Sequence, residues 1–383
     1  MRVAEISAFS NYSVGNIMRN IQQGLINNGH ECKIFYSRGS KNQDDKLVNF
    51  GNKIGTYIAA IKARILDNDG FNCSFSTKKL IKILKEYNPD IVHLHCLHGY
   101  YINVKKLFMY LKKNQHIKVI WTMHDTWAIT GHCCYFESYK CEKYKTLCHN
   151  CPAKKEYPTS ILFDKSKRNY LVKKDIFNQL PKEQLTIVSP SAWLDNLISL
   201  SYLKEYNHVV INNGIATLKF KNYNLDRQNI LLAVSSVWDR RKNLNRVLEI
   251  SKNLTKWSVI IVGKIVDEID KAAYPNIKFI DRTENIDQLV EIYNRSKIFI
   301  NPTLDENFPT VNLEAQLCGM NVLSYDTGGC KETNLGNLYL FSETDFIDDV
   351  YLDGIDLKNT NEIDFNFTSE NMCNQYIELM KKI

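Results

Sequence analysis

Asn301-Pro302-Thr303-Leu304-Asp305-Glu306-Asn307-Phe308-Pro309-Thr310-Val311-Asn312-Leu313-Glu314-Ala315 follows an apolar run, Ile298-Phe299-Ile300, that reads as a buried strand. The strand stops at Asn301-Pro302, because proline cannot continue a central ladder. After a polar loop, Pro309 suits the first turn of a helix, where the N–H it lacks has no intrahelical partner. That helix runs through Leu313 and Ala315 to a glycine stop at Gly319. Glu306 in the loop and Glu314 in the helix flank its start, and the free N–H groups around Thr310 and Val311 form a ready phosphate site between them.

A carboxylate among sugar hydroxyls and another among ribose hydroxyls, with a diphosphate between, would hold a nucleotide sugar. The bland alternative is a strand–loop–helix with two solvated glutamates. The stretch resembles the Glu-x7-Glu signature of retaining glycosyltransferases of family 4, and so do Asn301-Pro302-Thr303 before it and Thr327-Gly328-Gly329 after it. The resemblance implies an α/β chain of GT-B architecture. In it two Rossmann-like domains with parallel sheets face each other across a cleft, and a C-terminal helix returns to the first domain. It also implies that Glu306 orients the donor sugar, that Glu314 holds the ribose, and that Phe308, Pro309, Thr310 and Val311 belong to the donor site.

At 383 residues with 44% hydrophobic content the chain is long enough for two cores, and no run of about 18 apolar residues would span a membrane. The net charge of +7 is too mild to demand a nucleic-acid partner, and the basic stretches lack interleaved aromatic platforms. Met1-Arg2-Val3-Ala4-Glu5-Ile6 carries an acid in its short apolar run, so it reads as a first strand rather than a signal peptide. A cytoplasmic location is expected, and there most of the eleven cysteines are reduced thiols or metal ligands.

Strand-like runs at 2–8, 31–37, 90–96, 118–124, 185–189 and 209–212 alternate with helical patterns such as 17–27, 78–87 and 104–113, as a helix-covered parallel sheet requires. Strands recur at 230–235, 258–262, 277–280, 297–300 and 321–325, with the polar segment 219–228 as the linker. The expected domains are 1–216, with a Cys-rich insertion at about 131–158, then 217–364, then a helix over 365–383 with Met372, Tyr376, Ile377 and Met380 at helical spacing.

In the loop after the first strand, Gly15 would let backbone approach a ligand. Asn16 stands where the family often has a basic residue. His93 and His95 alternate onto one strand face, with His98 in the following loop; acceptor-side lining and a metal site are the two readings. By resemblance, His124 in Trp121-Thr122-Met123-His124-Asp125 contacts the donor sugar. Cys133, Cys141, Cys148 and Cys151 have the spacing Cys-x7-Cys-x6-Cys-x2-Cys, compatible with a closed structural zinc site in which His132, Cys134 or His149 can substitute. Free thiols or a disulfide are the alternatives. Lys154, Lys155, Lys165, Lys167, Arg168, Lys173 and Lys174 form a basic stretch, and Lys105, Lys106, Lys112 and Lys113 another; each is a solvated face or a dock on anionic lipid.

In Ser235-Ser236-Val237-Trp238-Asp239-Arg240-Arg241-Lys242, Lys242 matches a family lysine that neutralises the donor diphosphate. Arg241, or Arg240, is the guanidinium that would complete the pair. The resemblance thus implies a hexosyl transfer from a UDP- or GDP-linked sugar to a glycan or lipid-linked surface-polysaccharide acceptor. It would take place at the inner face of the plasma membrane with no catalytic metal or cofactor. A nucleotide-sugar epimerase of the same fold and a non-catalytic scaffold are the alternatives.

Overall fold

A computed structural model describes residues 1–39, 44–355 and 365–383. The chain divides into two compact units, Met1–Asn212 with Glu370–Ile383, and Asn213–Ser369. The break falls before the expected 216, and the expected domain end at 364 lies outside the described residues.

The first unit holds strands β1 (Arg2–Ser7), β2 (Glu31–Tyr36), β3 (Leu47–Asn49), β4 (Ile91–Leu94), β5 (Lys118–Thr122), β6 (Leu185–Ser189) and β7 (Asn207–Val210). They form one sheet in the order β3-β2-β1-β4-β5-β6-β7, with every pairing parallel. Parallel strands buried on both faces read as continuous apolar runs, and β5 and β6 do so. Alternation divides each strand between two cores. Ala4, Ile6, Leu94 and Trp121 face a large cluster on one side. Val3, Ile91 and Ile120 face the other, which is covered by Met372, Tyr376, Ile377 and Met380 of the C-terminal helix.

The second unit holds β8 (Gln228–Trp238), β9 (Ser258–Ile265), β10 (Ile277–Ile280), β11 (Ser296–Asn301), β12 (Asn321–Tyr325) and β13 (Leu338–Phe341), ordered β10-β9-β8-β11-β12-β13 and again parallel. Counted from its own first strand this is the order 3-2-1-4-5-6. The sense in which strands are added therefore reverses between β8 and β11, and loops at the carboxyl ends of those two parallel strands open a crevice where ligands collect in such sheets.

Three expectations need correction. The segment 219–228 is not a free linker: Phe220 is buried, and the Arg227 guanidinium donates to the carbonyls of Tyr293, Ser296 and Cys318. Gly15 lies in a helix rather than in a loop. The first helix (Tyr12–Asn27) already includes it, and a Cβ there would lie 2.5 Å from the Ser10 carbonyl carbon, so the glycine serves close packing. Lys173 is no surface cation; it is buried, donating to the carbonyls of Trp127 (2.8 Å) and Thr130 (3.2 Å), with its ammonium 3.4 Å from the Trp127 ring centroid.

Candidate active site

The crevice of the second unit collects most of the expected residues. β8 runs on through Trp238, past the expected strand end at 235, and Arg240–Lys242 then form one helical turn. The Asp239 carboxylate starts that turn by accepting the N–H groups of Arg241 (3.0 Å) and Lys242 (3.3 Å). The turn is tied to the loop after β11, because the Arg241 carbonyl accepts from the Leu304 N–H (2.7 Å) and the Thr303 hydroxyl (3.3 Å). These ties bring Lys242 Nζ to 2.5 Å from Glu306 Oε2. Burial raises the Glu306 carboxyl, but the charge and hydrogen bond of Lys242 outweigh it and hold the group below its usual range. The Arg241 guanidinium is engaged by Asp239 Oδ2 at 3.1 Å, so Lys242 is the cation aimed at Glu306.

The helix after the loop spans Thr310–Leu317, with Pro309 at its N-cap and no side-chain cap hydrogen bond. Thr310 and Val311 are its first two residues, both half-buried, and their N–H groups have no intrahelical acceptor. Glu314 lies one turn in. Burial drives its carboxyl up to about 7, against a hydrogen bond from the Tyr293 hydroxyl at 3.4 Å. Phe308 is buried and packs with Ile215 and Leu313. The loop is clamped from behind by the segment after β12: Gly329 N–H donates to the Glu306 carbonyl (3.1 Å), and the Thr327 hydroxyl to the Leu304 carbonyl (3.1 Å).

In the first unit the order reverses between β1 and β4, and histidines gather beside that point. His124 lies just past β5, half-buried, with Nε2 3.0 Å from His95 Nδ1. Burial pulls it down to about 4, so at neutral pH it offers an uncharged imidazole. His93 and His95 are fully buried, beneath the C-terminal helix: His93 Nε2 meets the Thr122 hydroxyl, which meets Tyr376 Oη. His98 Nε2 pairs with Asp125 Oδ2 at 2.6 Å, and its Nδ1 with the Tyr157 hydroxyl at 3.2 Å. Burial alone would lower His98, but Asp125 reverses the sign and keeps it charged. Asn16 is exposed on the first helix.

Cys133, Cys141, Cys148 and Cys151 line one small cavity of the first unit, all as free thiols. Among the described residues, the groups of three whose ligand atoms lie within 4.8 Å of one another are Glu5/His93/His95 and Cys96/His98/Asp125, so no three of these cysteines bring their sulfurs that close together.

Sequence reading missed the Tyr293–Glu314 pair, which joins separate helices, and the outward stripe of the helix Lys53–Leu66. There Ile54, Tyr57, Ile58, Ile61 and Ile65 are exposed while Ala59 and Ala63 face the core. The 3.6-residue period was present in the sequence, but such a period does not say which face is inward.

Two family models match the chain: "Glycosyltransferase Family 4" over residues 14–217 and "Glycosyl transferases group 1" over 215–345. A putative colanic acid biosynthesis glycosyl transferase, WcaC, of Escherichia coli is 29% identical over 137 residues, or 35% of this chain; the match spans 33% of that relative's length. Sucrose-phosphate synthase of Thermosynechococcus elongatus has a TM-score of 0.69 at 14% identity, covering 100% of this chain and 98% of that one. HepE of Anabaena, solved in complex with UDP and glucose, has a TM-score of 0.64 at 12% identity with both chains fully covered (100%). At such identities the likeness establishes the fold.

Proposed function

This chain belongs to glycosyltransferase family 4 and has the GT-B fold, and from that premise we propose that it transfers a hexosyl unit from a nucleoside diphosphate sugar, with retention, to a surface-polysaccharide acceptor. The observation that carries the reading is the Lys242–Glu306 pair at 2.5 Å, set in the crevice where the 3-2-1-4-5-6 sheet reverses. In it a fixed cation lies beside the carboxylate that meets the sugar. Relatives named for colanic acid biosynthesis and solved with UDP and glucose support the choice of acceptor and donor class.

The chemistry follows from the groups present. As the glycosidic C–O bond to the diphosphate breaks, negative charge grows on the leaving oxygen. Lys242 and the free N–H groups of Thr310 and Val311 are placed to take that charge. Glu306 accepts from sugar hydroxyls, and Glu314 accepts from the ribose. The acceptor hydroxyl attacks from the departing face through an oxocarbenium-like state and gives its proton to the leaving phosphate oxygen. The uncharged imidazole of His124 can donate one hydrogen bond or accept one.

Thermal-shift screening against UDP-, GDP-, dTDP- and ADP-sugars, followed by NMR of the product anomer, tests this reading. Stabilisation by one nucleotide class and a product with the donor's anomeric configuration are expected. Inverted configuration, or no response from a folded sample, counts against it.

Glu314 supplies a pH test. Its folded-state carboxyl titrates at about 7 instead of the ordinary 4.5, so ribose binding by the ionised form requires loss of a proton below that pH. Donor affinity should fall as pH drops through 7, and Glu314→Gln should bind about ten- to hundredfold more weakly at pH 8 and lose the dependence. The raised pKa also means that stability at this site, full below 4.5, declines as pH rises towards 7. Calorimetric titration with the nucleotide at pH 6 and pH 8 reads both arms; equal slopes for parent and variant would remove Glu314 from the ribose.

The same reading includes a membrane surface as the place of work. The helix Lys53–Leu66 carries no acid, presents Ile54, Tyr57, Ile58, Ile61 and Ile65 outward, and adds exposed Lys53, Lys62 and Arg64. Ile161, Leu162 and Phe163 extend the apolar patch: the N–H groups of Ile161 and Phe163 donate to the carbonyls of Arg64 and Ile65 at 2.6 and 3.2 Å. An apolar stripe on an acid-free helix flanked by cations matches an anionic lipid interface, each Lys or Arg adding about 1 kcal/mol near the surface. Co-sedimentation with vesicles containing anionic lipid is expected. Ile58→Glu with Ile61→Glu should weaken it at least about tenfold at unchanged melting temperature. Undiminished sedimentation, or a dimer that the pair of changes dissolves, would give the stripe another role.

A further inference from the structure

The cavity beneath the insertion after β5 has walls of an unusual kind. Cys133, Cys141, Cys148 and Cys151 line it together with His132, and it has room for about one water-sized group. Cys133, Cys148 and His132 are buried, and the thiols form no disulfide. Thiols alone would be ordinary core contacts, but three further features are not.

The first is His132. Its Nδ1 is held by Asp67 Oδ1 at 2.5 Å, while its Nε2 is buried without a hydrogen-bond partner. Asp67 is itself fixed, its other oxygen accepting the Lys165 N–H at 2.7 Å. An imidazole steered by a carboxylate on one nitrogen and left open on the other is how a metal-site histidine is oriented. In a metal-free interior, a buried ring nitrogen without a partner is destabilising. The second is the backbone around the sulfurs. Asn150 takes the left-handed conformation (φ 44°) between Cys148 and Cys151, Asp164 Oδ2 accepts the Cys151 N–H at 2.6 Å, and a Cβ added at Gly131 would lie 3.0 Å from the Cys148 Cβ. The turn so fixed holds Cys148 and Cys151 on the wall of one cavity. The third is Lys173, a fully buried ammonium held on the carbonyls of Trp127 and Thr130, just ahead of His132 and Cys133 in the chain, where its charge would offset a polythiolate centre.

We propose that this cavity is a structural zinc site, with Cys133, Cys148 and Cys151 as three thiolate ligands and the fourth position taken by Cys141 or His132. Each ligating thiol releases its proton to solvent as the Zn–S bond forms, and no oxidant or reductant is involved. Zn–S bonds near 2.3 Å set tetrahedral sulfurs about 3.8 Å apart. Binding of the ion therefore requires the thiols to draw in to that spacing. Four filled positions leave no open site, so the role is to fix the insertion. Tyr157, which reaches His98 Nδ1 at 3.2 Å, hangs from its far end.

The test begins with the full-length wild-type protein, purified without chelator, by elemental analysis. About one zinc per chain is expected, together with a fall in melting temperature on chelation that added zinc chloride reverses. Replacement by cobalt(II) chloride should give the visible bands of a tetrahedral thiolate centre. Cys148→Ser should lose the metal. Of Cys141→Ser and His132→Gln, the one that changes the cobalt spectrum names the fourth ligand. Wild type with no bound metal, four freely titrating thiols and no cobalt spectrum overturns the proposal, and this result does not depend on whether any variant folds. A response to donor nucleotide is measured separately, so the site and the enzymatic reading stand or fall apart.

Discussion

Lys242→Ala should lower kcat by about 10²–10³-fold, the usual loss when one fixed donor to a developing anion is removed. The size follows from where the charge sits. Lys242 is held on a turn whose N–H groups are capped by Asp239, and the turn is locked to the neighbouring loop through the Arg241 carbonyl. Its ammonium is therefore placed before any substrate arrives, and no reorganisation is needed when charge develops. Glu306 at 2.5 Å keeps the cation neutralised until then. Arg241 is the useful contrast: its guanidinium already answers Asp239 at 3.1 Å, so Arg241→Ala should cost much less than Lys242→Ala. A stability signature accompanies the kinetic one. Burial raises the Glu306 carboxyl and Lys242 more than reverses this, so the pair contributes stability above the unfolded carboxylate range near 4.5 and loses it as pH falls through the lower folded value. Lys242→Ala should abolish that acid-side dependence. Steady-state rates with the donor found by screening, beside melting curves from pH 3 to 8, check both parts. A kcat within about threefold of wild type would take Lys242 out of the chemistry.

Much of this site could be read in the sequence because the relevant contacts are local or paced by a strand. Ile298–Ile300 ending at Asn301-Pro302, and Pro309 ahead of an apolar helix ending at Gly319, fix a strand–loop–helix without tertiary information. His93 and His95 share a face because alternation demands it, and their rings lie 4.2 Å apart. What could not be read depends on packing partners from elsewhere in the chain. Nothing in Asn222–Arg227 announces that its guanidinium will cap three carbonyls of the second unit. Lys173 sits among lysines in sequence and under a tryptophan in space. Phe308 belongs to a loop rich in ligand-type residues, yet Ile215 and Leu313 claim its ring. Strand β3, three residues long, is too short to show a period, and it exists because β2 offers it an edge.

Gly328→Ala should destabilise the second unit by about 2–4 kcal/mol and reduce kcat by roughly 10²-fold, through its contact with the backbone of Glu306. Two effects add. The backbone of Gly328 has φ +56°, a conformation disfavoured by about 1–2 kcal/mol for a residue with a Cβ. That Cβ would also lie 1.7 Å from the Glu306 carbonyl oxygen and 2.9 Å from its carbon, both backbone atoms that no rotamer change can move aside. The only relief is to shift the peptide that carries Glu306, which breaks the Gly329 N–H bond at 3.1 Å and draws the carboxylate off Lys242. Gly29→Ala is the matched control, since its φ is +76° with nothing within 4 Å of the added carbon, so it meets strain without collision. The difference between the two variants in melting temperature isolates the collision, and the difference in kcat isolates the displacement of Glu306. If Gly328→Ala melted and turned over like Gly29→Ala, the loop after β11 would be adaptable, and the 2.5 Å pairing of Lys242 with Glu306 would be one of several conformations rather than the fixed charge on which the proposed transfer depends.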